Sequence, residues 1–170
     1  MPDSLWIRAA LERHESALIA FAARITGDLE SARDVAQETF LKLCAERRED
    51  VEPRLAEWLF TVCRHAALDL RRRDSRRCAT ETADMDTHAG TGSTLTEVET
   101  QDASTRALVL LGRLPAAQQE VLRLRFHGGL SYKEIARVTG QSIGNVGWLM
   151  HMGLRALRAQ LAGDAVEGMV

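Results

Sequence analysis

The stretch LSYKEIARVTGQSIGNVGWLMHMGLRALRAQL, residues 130–161, holds two helix starts in quick succession. Ser131 with Glu134 three residues on forms a capping box, and after the Gly140 turn Ser142 is the next N-cap. The spacing predicts a first helix over Tyr132 to Val138, a tight turn at Thr139 to Gln141 and a second helix beyond. That is the helix-turn-helix arrangement, in which the first helix crosses a DNA backbone and the second enters a major groove. Ile135, Ala136, Ile143, Val146 and Met150 are expected to hold the pair together. Such a pair also occurs in ordinary helical bundles.

Upstream, TRALVLLGRL, Pro115 and AAQQEVLRLRFHG continue the same helical block from Thr105, with Gly128 and Gly129 as a turn. Residues 74–104 differ abruptly: polar, acidic, rich in Ser, Thr and Gly, and nearly free of large apolar side chains. Such a segment buries too little surface to offset its ordering entropy, so it is predicted to be a flexible linker.

The block from Leu5 to Arg73 reads almost entirely as helix. Leu11, Ala17, Leu18, Phe21, Ala22 and Ile25 share one face, Gly27 stops that helix, and Asp28 caps the next. The second helix, Leu29 to about Glu46, turns Ala32, Val35, Ala36, Thr39, Phe40 and Leu43 inward and its charged residues outward. Glu46 to Glu52 reads as a charged loop, and Pro53 opens a third helix that runs to Arg73. Its predicted buried stripe is Leu55, Trp58, Leu59, Val62, Ala66 and Leu70. It ends in Arg71, Arg72 and Arg73, followed by Arg76 and Arg77, more positive charge than complementing a helix dipole requires. The fold class is therefore all-α: two small helical domains, 1–73 and 105–161, a linker over 74–104 and a frayed tail over 162–170.

Composition excludes several function classes. The 170 residues carry 22 Lys+Arg against 24 Asp+Glu, a net charge of −2, which speaks against a surface that binds nucleic acid everywhere. No apolar run approaches the roughly 20 residues that span a bilayer, and the charged N-terminus is no signal peptide, so a soluble cytoplasmic protein is expected. Cys44, Cys63 and Cys78 lack the spacing of a disulfide framework or zinc ribbon, and Cys44 and Cys63 read as small core residues. The five histidines are scattered and the titratable residues do not converge, so neither an enzyme nor a metal or cofactor site is indicated.

Three segments in order, TGDLESARDVAQETFLKL, WLFTVCRHAALDLRRR and LPAAQQEVLRLRFHGGLSYKEIARVTGQSIGNV, resemble a bacterial sigma factor of the extracytoplasmic-function (ECF) type in the sigma-70 family. The resemblance covers nearly the whole chain. It implies a non-enzymatic subunit that binds the RNA polymerase core, directs it to promoters and helps open the DNA. Asp34, Gln37, Glu38 and Leu41 then fall on the helix that docks the β′ clamp coiled-coil, with Phe40 inward in the core. Arg64, His65, Arg71, Arg72 and Arg73 fall on the helix that reads and melts the minus-10 element, with His65 where the family commonly has Asn. Trp58 is read as core. Arg47, Arg48 and Arg54, in the loop that helps capture a flipped base, either touch single-stranded DNA or belong to a solvated loop. Lys133, Arg137, Ser142, Asn145, Trp148, His151 and Arg155 become the minus-35 contacts, with the β flap as a further polymerase surface and an anti-sigma factor as a partner the family admits.

The recognition helix departs from the pattern. Where relatives carry several Lys and Arg, this chain has Gly144 through Gly153 with no charge, so phosphate contacts there are few. Trp148, Leu149, His151 and Met152 are expected off the core stripe, as a surface for thymine methyls or for protein. Two other readings stand beside the sigma factor: a helix-turn-helix regulator acting without polymerase, and a sigma-like adaptor whose apolar helix binds another protein.

Overall fold

A computed structural model describes residues 3–81 and 109–167, which fall into two compact units, one within Met1–Leu95 and one within Thr96–Val170. All regular structure among the described residues is helical. The linker segment 82–104 lies outside the described residues.

The first unit packs three long helices against one another: α1 (Asp3–Thr26), α2 (Leu29–Ala45) and α4 (Leu55–Glu81). The α1–α2 corner forms as the sequence predicts. Gly27 takes φ +90°, a conformation that disfavours a Cβ, and Asp28 then accepts the Ser31 N–H at 2.7 Å. That bond holds the Asp28 carboxyl below its ordinary pKa. Ala32, Val35, Ala36, Thr39, Phe40 and Leu43 are the buried residues of α2, the stripe read from the sequence. Phe21 meets Phe60 edge-to-face at 5.4 Å across the α1–α4 contact.

Several expectations need correction in this unit. The charged run before Pro53 is not a loop but a short helix, α3 (Arg48–Val51), and a 3-10 turn over Glu52–Arg54, held by the bidentate Arg48–Glu52 pair and by burial of Val51. In α4 the deepest residues are Leu59, Phe60, Cys63 and Ala67; Leu55, Trp58, Val62, Ala66 and Leu70 flank them half-buried. Cys63 is fully buried, donates to the Leu18 carbonyl at 3.8 Å, and burial pushes its thiol up to about 12. Cys44 is exposed instead. The helix predicted to end at Arg73 continues to Glu81. Polarity made residues 74–81 look like linker, yet they contain no Gly or Pro, and Ser75 donates back to the Arg71 carbonyl at 2.9 Å without breaking the helix.

His14 was not singled out in the sequence and is buried, 8% exposed, on α1. Loss of hydration, then the neighbouring Arg13 charge, lowers its pKa. The folded chain thus refuses a proton that the unfolded chain takes up near pH 6.5, so unit stability falls as pH drops through that value toward the folded pKa. The expected slope is at most about 1.4 kcal/mol per pH unit, the limit for one proton. Hydrogen exchange of first-unit peptides between pH 7.5 and 5.5 checks this: His14→Leu flattens the dependence, and an unchanged slope would refute it.

The second unit comprises a helical turn over 109–112, α5 (Ala116–Phe126), α6 (Tyr132–Thr139) and α7 (Ile143–Glu167). Buried Gln119 donates its amide to the carbonyls of Gly112 and Leu114 at 3.1 and 2.6 Å, so it satisfies the end of the preceding turn. The α6 capping box is complete: Glu134 N–H bonds Ser131 Oγ at 3.3 Å and Ser131 N–H bonds Glu134 Oε2 at 2.7 Å. Hydrogen bonding to the Ser131 hydroxyl and to its backbone N–H holds the Glu134 carboxyl below its usual pKa. Gly140, at φ +71°, makes the turn, and Ser142 Oγ accepts the Asn145 N–H at 3.1 Å to start α7.

Here too the inward face differs from the reading. Val146, Leu149, Met150 and Gly153 are buried, so Leu149 belongs to the core, while Ile143 is 49% exposed. Gly153 sets this phase: a Cβ built there would stand 2.8 Å from Leu122 Cδ1 on α5. The residues taken as a tail continue α7 to Glu167, since Gly163 alone does not stop the helix.

Candidate functional site

Helix geometry sorts the candidate residues into faces. In α2, Asp34, Gln37, Glu38 and Leu41 follow the i, i+3, i+4, i+7 spacing of a single stripe, opposite the buried one. All four are exposed, Leu41 at 63%, and Glu38 pairs with Lys42 at 2.8 Å on the same surface. Phe40, one residue before, is 6% exposed and belongs to the core.

The five candidates on α4 do not form one stripe. At about 100° per residue, Arg64 and Arg71 share one file, His65 and Arg72 share a second that points away from buried Cys63 and Ala67, and Arg73 occupies a third. Arg64 is half-buried and the other four are exposed. Arg72 is turned toward Asp69 at 3.2 Å, a surface pair of little energetic weight. Because α4 continues to Glu81, Arg76 extends the His65 file and Arg77 the Arg73 file, so the end of this helix carries positive charge on most of its circumference.

In the second unit Trp148, His151 and Arg155 share the face of α7 that points away from the core, all exposed, Trp148 at 57%. Asn145 lies at the edge of that face and donates its side-chain amide to Gln141 Oε1 at 2.7 Å. Ser142 is engaged as the N-cap, and Lys133 and Arg137 stand one turn apart and exposed on α6. Two exposed aromatics near the turn were not read from the sequence: Phe126, 65% exposed at the end of α5, and Tyr132, 41% exposed with the Arg125 guanidinium 5.9 Å from its ring centre. The signal for Phe126 was its place just before the Gly128–Gly129 pair, where a helix end leaves a large side chain uncovered.

The first unit also holds an open cleft of about 570 Å³ whose lining includes Trp6, Arg13, His14, Arg48, Glu52 and Leu55. Of these, only Arg48 was considered as a functional residue. No group of three potential metal ligands occurs among the described residues, and no helix there is long and apolar enough to cross a membrane.

Comparison with known proteins accounts for both units. Residues 10–77 match the family model of sigma-70 region 2, and residues 104–157 match that of sigma-70, region 4. The chain is 33% identical over 163 residues to the ECF RNA polymerase sigma factor SigL of Mycobacterium tuberculosis, covering 94% of this chain and 90% of the relative. It is 31% identical over 158 residues to EcfG of Rhodopseudomonas palustris, covering 88% and 82%. Among solved structures, the sigma factor RpoE from Bartonella quintana, crystallised with the anti-sigma factor NepR, shares the fold at a TM-score of 0.66 and 24% identity, over 95% of this chain and 97% of that one. CnrH, solved with the cytosolic domain of CnrY, does so at a TM-score of 0.57, over 93% and 88%.

The two units therefore define a sigma-70 protein with a region 2 and a region 4. The chain belongs to the ECF RNA polymerase sigma factors, whose role is promoter-directed transcription initiation. A regulator that works without polymerase is not favoured.

Proposed function

We propose that this sigma factor docks on the polymerase β′ clamp coiled-coil through Asp34, Gln37, Glu38 and Leu41, and on the β flap through its second unit. Arg64, His65, Arg71, Arg72 and Arg73 hold the minus-10 strand, the arginines on phosphates and His65 against an unstacked base. Lys133, Arg137, Ser142, Asn145, Trp148, His151 and Arg155 face the minus-35 duplex. Minus-10 work thus lies in residues 1–73 and minus-35 work in 105–161. The protein acts in the cytoplasm by binding and not by catalysis of its own. An anti-sigma factor, as RpoE has in NepR, is a further partner.

The observation that carries this reading is the completeness of the buried stripe in α2 without any of the four outer residues. An exposed leucine at the centre of a polar face has no packing role there and suits a protein contact. Purified core polymerase from the source organism, run on fragmented genomic DNA with and without the protein, tests the proposal. Discrete new transcript starts sharing an upstream motif are expected; failure to bind core overturns it.

A further inference from the structure

The seventeen residues from Val138 to Leu154 contain no Lys, Arg, Asp or Glu. They include the whole turn and the first three turns of α7, the part of a recognition helix that meets base edges. Guanine is most often read by Arg or Lys, whose parallel donors match O6 and N7. On α7 the first such side chain is Arg155, twelve residues or about 18 Å beyond Ile143, farther than the roughly 12 Å width of a major groove. That position suits a phosphate at the groove edge better than a base beneath the first turns of α7. The two ring nitrogens of His151 point apart, so only one at a time can meet guanine, which presents two acceptors side by side.

What the groove-facing turns do carry suits A·T pairs. Asn145 sits in the first turn, exposed, with one amide hydrogen committed to Gln141 Oε1 at 2.7 Å. That bond orients the amide and leaves its oxygen and second hydrogen free, the complement of adenine N6–H and N7. Trp148, three residues on, presents a large apolar ring at 57% exposure. Gly144 has no atom within 4 Å of an added Cβ, and Gly147 has only Tyr132 at 3.9 Å, so neither obstructs close approach of DNA beside the indole. The one apolar group a base pair shows in the major groove is the thymine methyl.

We propose that α7 reads A·T pairs in the upstream element, with Asn145 taking an adenine, Gln141 positioning it, and Trp148 covering the methyl group of a neighbouring thymine. The inference rests on the assignment of α7 to the minus-35 duplex.

The full chain with core polymerase, transcribing a promoter library randomised over the minus-35 segment, tests it. Adenine and thymine are expected to be enriched at adjacent positions. Replacing that thymine by deoxyuridine removes only the methyl group; it should lower open-complex formation roughly fourfold for the native chain, the worth of one buried methyl, and not at all for Trp148→Ala. Asn145→Arg should move the preference at its position from adenine to guanine. Both side chains are exposed, so both variants should fold as the native chain does, which hydrogen exchange of second-unit peptides checks. Enrichment of G·C at these positions by the native chain, or indifference to deoxyuridine, overturns the proposal while the assignment of α7 stands. No enrichment anywhere in the randomised segment overturns both.

Discussion

Leu41→Asp is expected to lower affinity for core polymerase at least thirtyfold, about 2 kcal/mol, the scale of an interface hot spot, and to leave the first unit folded. The side chain is 63% exposed on the outer stripe of α2, so no core contact is lost. In the complex, the substitution would bury an unpaired carboxylate beside Asp34 and Glu38, an arrangement that costs more than deletion of the leucine alone. Leu41→Ala should therefore be the milder variant. Phe40→Ala, one residue away, should do the reverse and destabilise the unit by about 3–5 kcal/mol, because its ring is 6% exposed within the three-helix core. Co-purification with core polymerase and hydrogen exchange of first-unit peptides separate the two effects. Undiminished polymerase binding by Leu41→Asp would remove α2 from the docking surface.

Gly153→Leu is expected to unfold the second unit and spare the first. The Cβ alone would stand 2.8 Å from Leu122 Cδ1 and 3.4 Å from Gln118 Cβ, so Leu122, 1% exposed, must shift within the core to admit it. Overpacking of this kind costs about 1–3 kcal/mol for one or two carbons, and a leucine adds three more against the same wall. Gly153→Ala sets the clash against a helix-propensity gain of about 1 kcal/mol, so it should be mildly destabilising. Gly144→Ala, with open space around its added carbon, should stabilise by about 0.5–1 kcal/mol. Hydrogen exchange resolved by unit ranks the three; a stable Gly153→Leu protein would show that α5 and α7 do not meet as described.

The same glycine explains why some of the fold was legible in the sequence and some was not. Around α2, Gly27 and Asp28 fix the start, and an unbroken apolar period leaves a single phase, so both helix and buried stripe read correctly. In α7 the phase depends on Gly153, which adds nothing to a hydrophobic pattern and yet decides which side approaches α5; Leu149 and Ile143 were accordingly exchanged between core and surface. The end of α4 was missed because polarity marks solvent and not a helix stop, and only Gly or Pro would have marked the latter. Candidate positions were legible as residue types at helical spacing. Apart from the Ser142 cap, their engagement was not: the Gln141–Asn145 bond and the Arg72–Asp69 pair are visible only once the chain is folded.

Ions condensed on DNA are released only by positive charge, and residues 138–154 carry none. Contacts made by this span would displace no counterions, whereas each arginine of α4 seated on a single-stranded phosphate would steepen the logarithmic salt dependence by about 0.7. Rising ionic strength would then strip general DNA affinity faster than upstream discrimination. This sigma factor should choose its promoters more sharply at high ionic strength than at low.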